Sequence, residues 1–217
     1  FGRQQRERLY QEFIKRNEAS LCQAYGNVYS VILSTKNLTY SLSVNRNVKY
    51  LASRPSVSRD FTENLESLTD MLTVIKNANA YIDSIYVYFA NSDEVVTDLG
   101  VSDYGEFRDK DALALFSRDM PRRNVLLSRI KRNQYPYLLT VLYPVSISKD
   151  SNVGLVAVNL DVEKLGDYIG SGKYRNTDQA PRLLIFDHTM ETLVYSDEYR
   201  LFRDQEELEQ LKALGDW

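Results

Sequence analysis

The sequence predicts an α+β chain in which a long N-terminal helix lies on an antiparallel sheet, and three observations predict it. Residues 4–51 carry apolar and small side chains at a seven-residue spacing, uninterrupted by proline. Near residue 82 the apolar period changes from that of a helix to that of a strand. From there on, β-rich runs alternate with short polar turns, which is the pattern of successive hairpins.

In the first segment Ile14, Leu21, Val28, Thr35 and Leu42 recur every seventh residue, with Tyr25, Ile32 and Thr39 four places after the middle three. At 1.5 Å per residue one continuous helix would run roughly 70 Å, about twice the span of a compact domain, so one end is expected to stand clear of the core. Gly26 is its only interior glycine, and two pieces broken there are the alternative. Asn17, Glu18 and Asn45 make the stripe weak for a coiled coil. Cys22, the single cysteine, forms no internal disulfide and reads as a small buried hydrophobe.

Pro55 breaks the helical run, and Asp60 with Glu63 three places on marks a new start. Phe61, Leu65, Leu68, Leu72 and Ile75 then give a second amphipathic helix, expected to fold back antiparallel on the first. Residues 82–89 alternate, with Ile85, Val87 and Phe89 on one face and Ser84, Tyr86 and Tyr88 on the other, and turn into a partner strand at 95–99. Residues 100–109 read as a loop rich in Gly, Ser and Asp, 111–117 as a short helix, and 125–130 as a third strand. Residues 137–147 and 153–160 form a longer hairpin, followed by a short helix at 163–169. A linker, a third hairpin at 183–186 and 192–195, and a last helix at 205–214 complete the chain. The expected organisation is a helical stalk over 1–80, a sheet module over 81–180 and a partial second module over 181–217.

At 217 residues, with 43% hydrophobic and 26% charged, the chain has the composition of a globular domain with a full core, which excludes disorder. A net charge of −3 provides no field to gather nucleic acid. No stretch has the length of a membrane span, and the start at Phe1 reads as that of an excised piece whose flanks hold any such segment. One histidine, His188 in a turn, and one cysteine leave no Ser/His/Asp arrangement or metal cluster to assemble. Gly166, Gly170 and Gly172 lack the spacing of a phosphate loop. The triplet Asn37, Leu38, Thr39 matches a glycosylation acceptor but falls within the predicted helix, where a structural role is expected. No catalytic residue, metal or cofactor is therefore expected. Tyrosine stands out instead: there are 16 against 8 phenylalanines, with Tyr86, Tyr88, Tyr137 and Tyr143 on predicted strands. An apolar ring with a hydrogen-bonding tip suits either the wall of a pocket for a small polar ligand or an ordinary half-buried sheet face.

The run Ile82, Asp83, Ser84, Ile85, Tyr86, Val87, Tyr88 entering the sheet, and the run from Gly154 to Asp161 with Leu165 leaving it, resemble the PAS-like sheet of extracellular Cache sensor domains. The likeness covers roughly residues 5–200 and is nearest to sensors of histidine kinases and AraC-type regulators from Gram-positive bacteria. It rests on strand patterns and carries no catalytic signature. What the resemblance implies is a membrane-distal module with a ligand pocket at 81–180 and an incomplete proximal module after it. The location it implies is the extracellular side of the membrane, reached through flanking segments outside this chain. In amine and amino-acid receptors of this family an aspartate near the end of the last distal strand takes the ligand's ammonium. That place falls here to Asn159, with Asp161 on the same face if the strand continues. The family's aromatic and arginine amino-acid motif is absent from residues 104–123. A neutral amide both donates to and accepts from hydroxyls, so the resemblance implies a neutral polar ligand such as a sugar, held by Asn159, Tyr86, Tyr88, Tyr143 and one of Arg118 or Arg122. The expected partner is that small molecule, with no nucleic acid, and a homodimer is compatible with the pattern. The rival expectations are an interaction or dimerisation module without a pocket, and an acid/base hydrolase using two carboxylates. A sheet face filled by its own side chains would favour the interaction module.

Overall fold

The computed structural model describes residues 2–53, 59–110, 113–130, 137–148, 151–170, 184–186 and 192–195. Helix α1 (Gly2–Ser43) runs through Gly26 without a break and is 42 residues long, which at 1.5 Å per residue is roughly 63 Å. It ends earlier than its pattern predicts. Asn45 starts a separate helix, α2 (Arg46–Ser53), because its Oδ1 accepts from the backbone N–H groups of Asn47 and Val48 at 2.8 and 3.4 Å. That is the geometry of an N-cap, which satisfies donors a continuing helix would have paired internally. The asparagine that weakens the seven-residue stripe is thus the residue that stops the helix.

The stripe divides α1 into two halves. Val28, Val31, Thr35, Thr39 and Leu42 are buried, and the two threonine hydroxyls donate back to the carbonyls of Val31 and Thr35. Leu9, Tyr10, Phe13, Leu21 and Tyr25 are each more than half exposed, so the N-terminal end is the one that stands clear. Cys22 lies on this projecting half and is exposed, contrary to the expectation of burial. Thr39, in the glycosylation-like triplet, is fully buried.

Helix α3 (Arg59–Ala78) packs on α2 and on the first two strands rather than along α1. The short α2, absent from the sequence reading, contacts α1, α3 and strands of the sheet. Between α3 and α1 lies a cleft of about 320 Å³ lined by Ser34, Thr35 and Leu38 on one side and Val74, Ile75 and Ala78 on the other. Lys76 reaches across to Asp98 at 2.6 Å and ties α3 to the sheet.

Six strands form one antiparallel sheet: β1 (Ile82–Phe89), β2 (Glu94–Thr97), β3 (Gly100–Asp103), β4 (Val125–Ile130), β5 (Tyr137–Ser146) and β6 (Asn152–Asp161), in the order β3-β2-β1-β6-β5-β4. The strand β3 falls in the segment read as a loop; its burial alternates between half-buried and exposed, as expected of an edge strand with little apolar content. The helix expected at 111–117 is a single 3-10 turn, Leu113–Leu115. Helix α4 (Val162–Gly170) follows β6 directly, and the third hairpin is present as β7 (Leu184–Phe186) and β8 (Thr192–Tyr195). The last helix expected at 205–214, and nearly all of the expected module at 181–217, lie outside the described residues.

Alternation within the strands sorts the sheet into two faces. Ile85, Val87 and Phe89 join Leu139, Val145, Val156, Val158 and Leu160 in a core shared with Val31, Leu42, Val48, Leu51, Leu68 and Leu72 of the helices. Tyr86, Leu142, Leu155 and Ala157 face the other way, toward the segment between β3 and β4. Gly154 permits the tight pairing of β6 with β1, since a Cβ there would collide with the backbone carbonyl oxygen of Tyr88.

Candidate functional site

On the face turned away from the helices, register places three polar side chains in one row. Ser84 of β1 pairs with Asn159 of β6, and Asn159 with Thr140 of β5. The Thr140 hydroxyl donates to Asn159 Oδ1 at 2.7 Å, and Asn159 Nδ2 donates to Ser84 Oγ at 3.0 Å. Ser84 Oγ lies 2.8 Å from Tyr86 Oη and 2.7 Å from Asp83 Oδ2, so its single proton has two acceptors within reach. Tyr86 Oη donates to Asp109 Oδ2 at 2.9 Å. Asn159 and Thr140 are fully buried and Asp109 is 5% exposed, which puts this chain of hydrogen bonds in a low-dielectric setting where each is strengthened.

The acidity of the phenols follows from this setting. Burial, reinforced by the Asp109 carboxylate, pushes the Tyr86 phenol far above its ordinary value. Burial and the hydrogen bond given to Asp93, at 2.9 Å, push Tyr88 up to about 12. Both rings are neutral donors at physiological pH.

The face carrying these groups is covered. Phe107 stands edge-on to Tyr86 with ring centroids 4.8 Å apart, Phe116 edge-on to Tyr88 at 5.4 Å, and Tyr104 is tilted against Tyr88 at 5.1 Å. Leu113 and Met120 are buried in the same cluster. The hollow surface expected from the sequence is therefore filled by the protein's own aromatic side chains. The far end of the covering segment is held by Asn152, whose Nδ2 donates to the Met120 carbonyl at 2.8 Å while its backbone N–H donates to the Arg118 carbonyl at 3.1 Å.

The structure brings together only some of the residues the sequence singles out. Tyr86 and Asn159 belong to one hydrogen-bonded network, and Tyr88 stands beside it under the cover. Asp161 does continue the strand, but its Oδ1 caps α4 through the Lys164 N–H at 3.1 Å and its Oδ2 pairs with the Lys164 ammonium at 3.3 Å. Tyr143 points to the opposite side: it is paired with Val156 on the helix face and packs edge-on against Tyr40 of α1. Grouping it with Tyr86 and Tyr88 misjudged the strand parity set by the register of β5 against β6. Arg118 and Arg122 are exposed, and the Arg122 guanidinium donates to the Ser148 carbonyl rather than reaching the sheet. Asp109, Phe107 and Asn152 were not singled out, because they lie in stretches read as loop and turn. The spacing of Phe107, Leu113 and Phe116 is the signal that would have marked that loop as a covering element with a buried side.

No protein-family model and no curated protein matches the chain. Solved structures do. A domain of a sensory box/GGDEF family protein from Vibrio parahaemolyticus superposes over 89% of this chain and 77% of its own, with a TM-score of 0.61 and 13% identity. The ligand-binding domain of the Campylobacter jejuni chemoreceptor Tlp3 in complex with L-valine covers 87% of this chain and 73% of its own, at a TM-score of 0.52 and 14% identity. The Pseudomonas aeruginosa chemoreceptor PctC ligand-binding domain in complex with GABA covers 81% and 73%, at 0.50 and 16%. The chain has the fold of a Cache-type sensor domain. At these identities the shared property is the architecture of helix and sheet. Among the described residues no group of His, Cys, Asp and Glu is placed to hold a metal, and no helix is long and apolar enough to cross a membrane.

Proposed function

We propose that the chain is the extracellular sensor domain of a membrane signalling receptor, binding a small polar molecule on the Tyr86, Tyr88 and Asn159 face and signalling through α1. The single observation that supports this best is the buried polar row beneath an aromatic cover. A sheet built only to be stable would place apolar side chains at Ser84, Thr140 and Asn159, since buried polar groups cost stability unless every partner is supplied. That the structural neighbours are sensory domains of chemoreceptors and of a histidine kinase is consistent with it. Helix α1 packs on β5 and β6, the strands carrying Thr140 and Asn159, so a change in their spacing passes directly to the projecting half. The coupling needed for such a shift is about 1–3 kcal/mol.

The ligand in this reading is neutral and hydroxyl-bearing, a sugar being the simplest class. A hydroxyl accepts from Tyr86 and donates to Asp109 with one oxygen, whereas a lone ammonium leaves the phenol without an acceptor. Isothermal titration of the 217-residue chain against a panel of sugars and amino acids tests it. Binding of a sugar that is weakened by Tyr86→Phe is the expected result. Tight binding of an amino acid, unaffected by that change, would overturn the neutral-ligand reading.

A second reading is favoured by a different observation. The apolar side chains exposed on the outer half of α1, together with a filled sheet face, suit an interaction or dimerisation module in which the helix is the contact surface. Sedimentation or light scattering across a concentration series tests the association, and the titrations above decide whether the sheet face also binds a ligand.

A further inference from the structure

We propose that the cleft between α1 and α3 is a second binding site, which takes a small, neutral, mainly apolar molecule carrying one hydroxyl. The proposal stands apart from the reading of the polar sheet face, because the cleft lies on the helix side of the sheet.

The cleft exists because the two helices are seated separately. Helix α1 rests on β5 and β6, while α3 rests on β1 and β2, so the gap runs along the line where β1 pairs with β6. Larger side chains at the facing positions would close it, but Ser34 and Thr35 on α1 and Ala78 on α3 are small. Ile82, at the start of β1, is buried beneath it, whereas Ser34 and Ala78 are exposed, so it opens outward. Val74, 67% exposed, gives that opening an apolar wall.

The lining sets the class of occupant. Leu38, Val74, Ile75 and Ile82 supply apolar surface, and no Asp, Glu, Lys or Arg lines the cleft. Lys76 is turned to Asp98 instead. A charged molecule entering here loses its water and gains no counter-charge, so a neutral one is selected. Polar groups lie just beyond the end of α3: Tyr81 Oη donates to Asn79 Oδ1 at 3.1 Å, and Asn79 Nδ2 donates to the Ile75 carbonyl at 2.7 Å. These bonds leave the Asn79 amide one N–H hydrogen and one oxygen lone pair, enough to pair a single hydroxyl in both directions. A volume of about 320 Å³ is about twice that of a ~150 Å³ cavity that holds benzene, which sets the occupant at roughly ten to twelve non-hydrogen atoms. A ring with a short alkyl chain and one hydroxyl has that size and polarity. Touching both helices, it ties the projecting α1 through α3 to the β1 and β2 side of the sheet.

Titration of the full chain with para-propylphenol, followed through the methyl resonances of Leu, Val and Ile, tests the site. Saturable shifts are expected at Leu38, Val74, Ile75 and Ile82, with Leu142 and Leu155 of the opposite face unmoved. A Kd on the order of 0.1–1 mM is expected for a molecule of this size. Ala78→Phe and Ser34→Phe each place a ring in the cleft from an exposed position, so an unchanged fold is expected, checked by circular dichroism, with binding weakened about tenfold or more. Propylbenzene, lacking the hydroxyl, is expected to bind about fivefold more weakly, the effect of one hydrogen bond. The anion para-propylbenzoate is expected not to bind. Absence of saturable shifts, or binding that survives both substitutions, would overturn the cleft as a site. Equal binding of the benzoate would overturn the neutral class, and equal binding of propylbenzene the role of the Asn79 end. No sugar enters this experiment and no variant touches the polar face, so its failure and failure of the sensor reading are separately visible.

Discussion

The two faces of the sheet are packed by different chemistry. On the helix face Ile85, Val87, Phe89, Leu139, Val158 and Leu160 meet four helices, and every one of these side chains is apolar and buried. On the other face Ser84, Thr140, Asn159 and Tyr86 form a hydrogen-bonded row, roofed by half-buried rings from a segment with a single turn of helix. Apolar burial is non-directional and cooperative, so the first face yields only by unfolding. Hydrogen bonds and ring edges are exchangeable one for one, so the second face has contacts that a small molecule can replace without disturbing the fold. Non-directional packing lies on one side of the sheet and exchangeable contacts on the other.

The largest test of that division is on the helix face. Leu160→Ala removes a fully buried side chain facing Leu139 and is expected to cost about 2–5 kcal/mol in chemical denaturation. Phe107→Ala removes a ring that is half-buried on the other face, and about half the 3–5 kcal/mol of a buried phenylalanine is expected. Equal losses at the two sites would break the comparison, because the cover would then be part of the main core. Gly154→Ala probes where the faces share one backbone: its added methyl meets the Tyr88 carbonyl and is expected to cost about 1–3 kcal/mol through strand displacement.

Alkaline pH sharpens the comparison further, since the two tyrosines raised furthest, Tyr86 and Tyr88, lie on the polar face, whereas Tyr81, raised by burial, packs against the other core. Their folded-state values are raised above the unfolded value of 10, Tyr88 to about 12. The sign is that of a neutral form favoured by folding. The contribution is complete below pH 10 and is lost as pH rises from 10 through the raised folded values. Wild-type chain is expected to lose stability between about pH 10 and 12, and a Tyr86→Phe, Tyr88→Phe double variant to lose less over the same interval. Phenolate absorbance followed alongside unfolding checks it. Early, native-state ionisation of all tyrosines would show that neither ring is shielded.

Much of this was legible in the sequence where one physical signal dominates. The bounds of β1 and β4 and the two faces of β1 follow from alternation, and the unbroken passage of α1 through Gly26 from the lack of any second breaker there. Asn45 was visible as a flaw in the stripe, yet its capping role depends on the next helix having a place to pack, which is a tertiary fact. The site was legible only in part. Tyr86 and Asn159 stand out by residue type on a strand, but the parity of Tyr143 depends on the register of β5 against β6, and nothing local fixes that register. Asp109 was hidden because an acidic residue in a Gly and Ser rich stretch is usually solvated; its burial beside Tyr86 is a tertiary fact.

The smallest effect is expected in the projecting half of α1, where one stripe runs into two environments. Leu42 is buried under the sheet and Leu21, three helical heptads earlier in the same register, is 56% exposed. Leu21→Ala is expected to change the stability of a single chain by no more than about 0.5 kcal/mol, since a surface position far from any packed partner contributes little. An outer segment of some twenty-five residues whose large apolar side chains are exposed is also only marginally helical by itself, as isolated helices shorter than about 12–15 residues are and longer ones of mixed composition remain. If a second chain packs along Leu21 and Tyr25, the wild-type melting temperature rises with protein concentration and the substitution removes that dependence. A concentration-independent melt, unaltered by Leu21→Ala, leaves the outer half as a solvated lever; a concentration-dependent one abolished by it makes this half an interface and moves weight to the second reading of the chain.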